Sequence, residues 1–131
     1  MWIPRNPNPL QKNASDCVIR AIGIALNRSW YEIYDELCAL GRKECNMPSA
    51  DVVWGLYLYQ HGFEPVTLPK TCPRCITIRE FTEAFPKGTY IVGTGSHAVA
   101  VIDGDYHDSH DSGNELASFF WKIQLGERGE P

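Results

Sequence analysis

The chain has 131 residues, of which 44% are hydrophobic and 21% charged, and its formal net charge at pH 7 is −4. These values are those of one ordinary globular domain, so we expect a single domain over residues 1–131. An acidic chain lacks the basic footprint of a nucleic-acid-binding protein, which makes nucleic acid an unexpected partner. The apolar runs are too short for a membrane span and the N-terminus shows no signal-peptide pattern, so we expect a cytoplasmic protein without membrane contact.

The N-terminal part predicts an irregular arm followed by a buried helix. Residues 1–10 contain three prolines and two asparagines, which favour an irregular arm. Residues 13–16 are rich in helix-capping side chains, and an apolar run from Cys17 to Leu26 follows them. This run is broken only by Arg20. A helix that is apolar nearly all round is buried on most of its faces, so we expect it to lie in the core.

Three further helices are predicted after the buried one. Two of them begin at capping boxes, in which Ser or Thr is followed three residues later by Glu. The other begins at a Pro-Ser pair and ends at Gly62. Residues 65–75 carry three prolines and are predicted to form a loop. The three helix starts are, in chain order, Ser29 with Glu32, Pro48 with Ser49, and Thr77 with Glu80.

From Gly88 onward the sequence pattern changes from helices to short strands. Asp103-Gly104 is a strong signal for a two-residue hairpin turn. Helices followed by an antiparallel sheet indicate an α+β fold, in which N-terminal helices, including a buried central helix, pack on a C-terminal antiparallel sheet. The predicted strands are residues 89–92, 97–102, 106–109 and 119–125.

Cys17 is the first candidate for chemistry because it opens the buried helix. The unpaired N–H groups and the positive dipole end of a helix N-terminus favour a thiolate there, and the same N–H groups can hold an oxyanion. The neighbouring carboxylate of Asp16 acts slightly the other way, since it disfavours a second negative charge. Taken alone, a cysteine at such a position is more often a small buried core residue.

Two other side chains are candidates to act with this thiol. Gln11 lies six residues before Cys17, where its amide is a candidate oxyanion donor, although it can also be a solvated loop residue. His97 begins an apolar strand after a Gly-rich turn, where its ring is accessible, although it can also be a satisfied core histidine. Cysteine activated by histidine is a common nucleophile for attack on acyl carbons.

The hairpin register decides which aspartate faces His97. With Asp103 and Gly104 as the central turn residues, Asp108 lies on the same sheet face as His97, one diagonal step away. A three-residue turn would place Asp111 opposite His97 instead. We therefore predict Asp108 as the partner of the histidine and keep Asp111 as the alternative.

These residues resemble the motifs of the papain-like cysteine peptidases. Gln11 is followed at six residues by an Asp-Cys pair that opens an apolar helix, and a later hairpin carries His97 and then Asp108-Ser109. The superfamily has the same order of glutamine, cysteine, histidine and then asparagine or aspartate. The Cys-Gly-Ser-Cys-Trp signature of the lysosomal enzymes is replaced here by Asp-Cys-Val-Ile. In size the chain is closer to compact bacterial and phage members such as the bacteriocin-processing peptidases.

The resemblance implies a cysteine peptidase that cleaves peptide or isopeptide bonds. It implies Gln11 as oxyanion donor, Cys17 as nucleophile, His97 as base and Asp108 as the group that orients the histidine. A peptide or protein substrate is implied, with no cofactor. Transamidation or deamidation at the same site and an inactive papain-like binding module remain the alternatives.

Two other clusters suggest different chemistry but with weaker signals. Cys72 and Cys75 form a Cys-x-x-Cys pair, which serves redox chemistry or half a zinc site, yet we expect a loop with two free thiols. Residues 107–111 pack four potential metal ligands together, but the side chains of His107 and His110 point to opposite faces of a strand. We therefore predict no metal site.

Overall fold

A computed structural model describes residues 1–67 and 75–123 of the chain. This part of the protein is a mixed α+β domain with four α-helices and one six-stranded sheet. In chain order the elements are β1 (Trp2–Pro4), α1 (Cys17–Leu26), α2 (Trp30–Lys43), α3 (Asp51–Gln60), β2 (Phe63–Thr67), α4 (Ile78–Ala84), β3 (Thr89–Gly93), β4 (Ala98–Ile102), β5 (Asp105–Asp108) and β6 (Phe119–Ile123).

The sheet has the strand order β1-β5-β4-β3-β6-β2 and is covered on both faces. On one face Ile91 and Ala100 pack with the core side chains of α1, α2 and α3. On the other face Val92 and Val101 pack with Ile78 and the other core residues of α4. Because both faces are buried, the central strands β3 and β4 are apolar throughout rather than alternating.

The buried helix predicted from the apolar run is confirmed as α1, with the predicted bounds Cys17–Leu26. It lies against β4 and its residues 20–24 are buried. Asn27 ends it in the left-handed conformation, with a φ of 56°. Packing of α1 on β4 brings the start of the helix close to the start of the strand.

Both capping boxes are confirmed. The side chain of Ser29 accepts from the N–H of Glu32, whose carboxylate accepts in turn from Ser29, and Thr77 with Glu80 does the same at α4. The third helix begins later than expected, at Asp51, because residues 47–50 form a turn closed by the Ala50 N–H on the Met47 carbonyl.

The predicted hairpin turn is also confirmed. Ile102 pairs with Asp105, which leaves Asp103 and Gly104 as the two central residues. Their φ values of 49° and 86° are both positive, as the favoured two-residue hairpin turn requires. This register places Asp108 on the sheet face predicted for it.

The structure differs from the sequence prediction at both edges of the sheet. Residues 2–4, predicted as part of an irregular arm, form β1, which pairs in parallel with β5, so the sheet is mixed rather than antiparallel. Residues 63–67 form β2 and pair with β6, although the loop was predicted from Pro65. An edge strand tolerates proline because its outer N–H groups need no ladder partner, and this explains both differences. Residues 68–74, 124 and 125 of the predicted loop and last strand lie outside the described residues.

Within residues 1–67 and 75–123, none of the helices has the length and apolar character needed to cross a membrane.

Candidate active site

The Cys17 thiol lies at the N-terminus of α1 and is half-buried. It interacts with the His97 side chain and with the backbone N–H of Ala98, the first residue of β4. Burial alone raises the pKa of the thiol, but the bonds with His97 and Ala98 outweigh it and leave the pKa below its ordinary value. The geometry therefore favours a thiolate at Cys17.

His97 lies directly before β4 and contacts the side chains of both Cys17 and Asp108. Its Nε2 atom is 2.6 Å from Oδ2 of Asp108, which leaves Nδ1 as the ring nitrogen for the thiol. The hydrogen bond with Asp108, followed by that with Cys17, raises the pKa of His97 to about 10. At neutral pH the histidine is thus a cation held between two acceptors.

Asp108 ends β5, and its side chain is only 3% exposed. Besides His97, Oδ2 accepts from the Ser112 hydroxyl at 2.7 Å, and Oδ1 accepts from the Ser109 N–H at 2.8 Å. Burial raises the pKa of the carboxyl, but these hydrogen bonds more than offset it and the pKa is lowered. Asp108 is therefore a fixed anion that orients the His97 ring.

The other candidate aspartate lies away from His97. Asp111 accepts from the hydroxyl of Tyr106 at 2.5 Å and from the N–H of Gly113 at 3.0 Å, and it pairs with Arg79 at 3.6 Å. These contacts hold the loop after β5 and do not involve the cleft. Of the two alternatives, the structure brings Asp108 to the histidine.

The structure does not bring Gln11 to this group. Its side-chain amide Nε2 donates to the carbonyl oxygens of Asn6 and Asn8, at 2.7 and 2.9 Å. The residue is exposed, has a left-handed backbone with a φ of 55°, and is not among the residues that line the cleft. In this conformation the amide closes a turn in the arm, so it is not available to an oxyanion beside Cys17.

Two charged residues that are not among the predicted site residues also lie at the site. Asp16 and Arg20 are both at least nine-tenths buried, and Oδ1 of Asp16 is 2.9 Å from Nε of Arg20. Arg20 also donates to the Ser109 hydroxyl at 2.7 Å. Their spacing of four residues on a helix is a signal for such a pair, and an arginine within an otherwise apolar helix needs a partner.

A cleft of about 630 Å³ opens over the thiol and the imidazole. Its walls come from the start of α1, the inner faces of α2 and α3, and the turn before β4. The lining is mixed, with apolar and aromatic side chains from the helices and β6, and with hydroxyl and imidazole groups from the turn before β4 and the residues after β5. Lining residues include Val18, Tyr34, Leu37, Trp54, Gly95, Ser96, Ser109, His110 and Phe119.

Three side chains of the site also have the composition of a metal site. Ligand atoms of His97, Asp108 and His110 lie within 4.8 Å of one another, and His107 is not part of this group. Both carboxylate oxygens of Asp108 already accept hydrogen bonds, and the guanidinium of Arg20 is 3.8 Å away. Because the Arg20 cation is close and the Asp108 carboxylate is already hydrogen-bonded, this cluster suits a proton relay better than a metal site.

Of the Cys-x-x-Cys pair, the structure describes Cys75, which is not among the residues that line this cleft. Cys75 is disulfide-bonded, so the prediction of a free thiol there is wrong, and Cys72 lies outside the described residues. The free thiols among the described residues are Cys17, Cys38 and Cys45.

Comparison with models of protein families, with curated proteins and with solved structures finds no match to this chain.

Proposed function

We propose that this protein is a cysteine-dependent acyl-transfer hydrolase of the papain-like type, and that it cleaves peptide or isopeptide bonds. The observation that carries the proposal is the His97 ring, which bonds the Cys17 thiol on one side and the buried Asp108 carboxylate on the other. This is the arrangement of a nucleophile, a base and the group that orients the base. Cys17 and His97 line a cleft of about 630 Å³, a volume within the usual range of ligand sites.

The contacts support a sequence of steps that begins from an ion pair. The Cys17 thiolate attacks the carbonyl carbon, and the electron pair of the carbonyl moves to oxygen. The N–H groups at the start of α1 stabilise that oxyanion, since they have no acceptor within the helix and belong to residues that line the cleft. Protonated His97 then gives its proton to the departing amine, and a thioester forms at Cys17.

The second half of the reaction regenerates the Cys17 thiolate and the protonated His97. His97, now neutral, takes a proton from water, and the resulting hydroxide attacks the thioester carbon. Collapse of this intermediate releases the carboxylic acid and the thiolate. Asp108 keeps Nε2 of the ring protonated throughout, so that Nδ1 faces the reacting atoms.

Alkylation of the free thiols tests the site before any substrate is known. With iodoacetamide and mass spectrometry, we expect Cys17 to react fastest at pH 6–7, because its interaction with protonated His97 favours the thiolate. In His97→Gln this advantage should disappear, since the thiolate loses its cation. Cys45 is exposed and serves as the internal control. Labelling of Cys17 no faster than that of Cys45 would contradict the proposal.

Hydrolysis is tested with a library of quenched fluorescent peptides and isopeptides, with Cys17→Ser as the inactive reference. Gln11→Ala tests the source of the oxyanion donors. A lost donor lowers the rate by roughly 10²–10³, whereas the observed placement of Gln11 predicts little change in kcat. A reactive Cys17 that releases ammonia from glutamine, or transfers the acyl group to an amine, would assign deamidase or transamidase activity instead. A reactive thiol with no turnover would favour a binding module.

A further inference from the structure

A buried pair of opposite charges connects the two halves of the candidate site. Arg20 is 9% exposed and Asp16 6%, and their ion pair spans one turn of helix from the residue before Cys17. Removing two charges from water costs free energy, and apolar replacements of a buried pair are often at least as stable. A contribution to the stability of the fold therefore does not by itself explain why the protein has this buried ion pair.

The first effect of the pair is on the N-terminus of α1. Asp16 occupies the N-cap position, where an aspartate side chain usually accepts from the N–H groups two and three residues later. Here it makes no such bond. Its carboxylate contacts Arg20 through Oδ1, and Oδ2 accepts from Nδ2 of Asn8 at 3.0 Å and from Nε1 of Trp30 at 2.9 Å.

The consequence is a helix N-terminus without a side-chain cap next to the thiol. The second and third helical residues, Val18 and Ile19, line the cleft together with Cys17. The first N–H groups of an α-helix have no acceptor within the helix. With the Asp16 carboxylate turned away, these N–H groups are available to a negatively charged oxygen in the cleft.

The second effect of the pair is on the end of β5. Nη1 of Arg20 donates to the Ser109 hydroxyl at 2.7 Å and lies 3.8 Å from Oδ1 of Asp108. The guanidinium thus links the helix that carries the thiol to the strand that orients the histidine. Its charge also contributes to the lowered pKa of Cys17.

We propose that Arg20 is a positioning residue for the candidate site: it holds the Asp16 carboxylate away from the first N–H groups of α1, so that they can receive the oxyanion, and it fixes the end of β5. This inference rests on the proposed function for its role in catalysis. The placement of the Asp16 carboxylate can be tested without assuming that the protein is an enzyme.

The direct test is amide hydrogen exchange at Val18 and Ile19. In Arg20→Met the carboxylate of Asp16 loses its cation, and we expect it to cap the helix. A cap stabilises a helix N-terminus by about 1 kcal/mol, so exchange at one of these amides should slow roughly fivefold. Arg28→Met is the matched control, because Arg28 pairs with Glu36 away from the cleft. Unchanged exchange in Arg20→Met would overturn the proposal whether or not the protein is an enzyme.

The kinetic test separates positioning from a structural role. In Arg20→Met we expect kcat to fall roughly 10²–10³-fold, as for a lost oxyanion donor, with little change in KM. The pH profile of Cys17 alkylation should move to higher pH. Asp16→Ala combined with Arg20→Met removes the competing cap and should restore part of kcat, and it also tests whether a poorly folded single variant caused the loss. A fall in Tm like that of Arg28→Met, with kcat and the alkylation profile unchanged, would reduce Arg20 to a structural residue.

These results distinguish failure of this inference from failure of the proposed function. An unreactive Cys17 in the wild-type protein removes the proposed function before any variant is made. A reactive Cys17 with an Arg20→Met variant that behaves like wild type removes only the inference.

Discussion

His97 has different partners on its two ring nitrogens, and the carboxylate has the larger effect on its charge. Of the interactions that raise its pKa to about 10, the hydrogen bond with Asp108 is the largest and the bond with Cys17 comes next. The histidine therefore keeps its proton through the pH range in which the thiolate forms. Hydrolysis should rise as Cys17 ionises, below its ordinary pKa of 9.0, and fall as His97 deprotonates near pH 10.

Replacing Asp108 by asparagine tests this dependence. In Asp108→Asn the pKa of His97, followed by NMR, should fall by more than one unit, and the alkaline limb of the hydrolysis profile should fall with it. Asp111→Asn is the matched control and should leave the His97 titration unchanged, since its carboxylate contacts Tyr106, Gly113 and Arg79. If the pKa of His97 shifted equally in both variants, it would respond to the net charge of the protein rather than to the contact with Asp108.

Asp108→Asn should also change the way in which the stability of the fold depends on pH. The folded pKa of His97 is raised, so the stability that the pair contributes is complete below the unfolded value of 6.5 and is lost as pH rises toward 10. The folded pKa of Asp108 is lowered, so its contribution is present above about pH 4 and is lost as pH falls further. Urea unfolding should therefore show the largest destabilisation by Asp108→Asn between about pH 4 and 6.5.

The residues that sequence reasoning brought together are those whose positions follow from regular geometry. Cys17 was located by the start of an apolar run, and Asp108 by counting residues from a hairpin turn. Gln11 was assigned by its spacing alone, and no periodicity fixes the direction of a side chain on an arm. In the sequence Arg20 is a break in the apolar run; its spacing of four residues from Asp16 signals the ion pair, whereas its contact with Ser109 depends on the folded chain.

The hairpin β4–β5 is the element that delivers Asp108 to His97. Both central turn residues have positive φ, and the φ of 86° at position 104 is the one that most requires a glycine. The side-chain oxygen Oδ1 of Asp103 accepts from the N–H of Gly88 at 3.0 Å and ties the turn to the start of β3. Two residues of turn fix the register, and a slip of one residue would turn Asp108 to the other face.

Substitution of the turn glycine should weaken this element without touching the site. Gly104→Ala places a Cβ at a left-handed position and should lower the free energy of unfolding by about 1–2 kcal/mol. Gly104→Asn should cost less, since asparagine tolerates this conformation better. Urea denaturation measures both, and His97 titration reports whether the register survives. Equal losses in the two variants would show that contacts of the side chain, rather than backbone conformation, set the cost.

The helices were predictable because their signals are local, whereas the edge strands depend on partners far away in the chain. The capping boxes at Ser29 and Thr77 involve side chains three residues apart. In contrast, β1 exists because Trp2 pairs with Tyr106, and β2 because Pro65 and its neighbours pair with β6. Tertiary contacts outweigh the proline-rich composition at both edges.

In the whole molecule, the cleft lies where the layer of helices α1–α3 meets the end of the sheet. One wall comes from the packed rings of Trp54 and Phe119, whose centroids are 6.2 Å apart in a stacked arrangement. Phe119 lies on β6 opposite Gly93 of β3. The ring fills the space that a side chain at Gly93 would need, so the sheet and the cleft wall share one packing contact.

Gly93→Ala should therefore disturb the fold and the cleft together. A Cβ at this position would lie 2.2 Å from Cζ of Phe119, so the ring must move. Overpacking of this kind costs roughly 1–3 kcal/mol, measured by urea denaturation. Because the ring also lines the cleft that contains Cys17, the alkylation rate of Cys17 by a bulky reagent should change as well. Phe119→Leu in the Gly93→Ala background should recover part of the stability, since it frees the space occupied by the ring. If the double variant is instead as unstable as the sum of the two single ones, the clash is not the cause, and Gly93 serves the strand backbone alone.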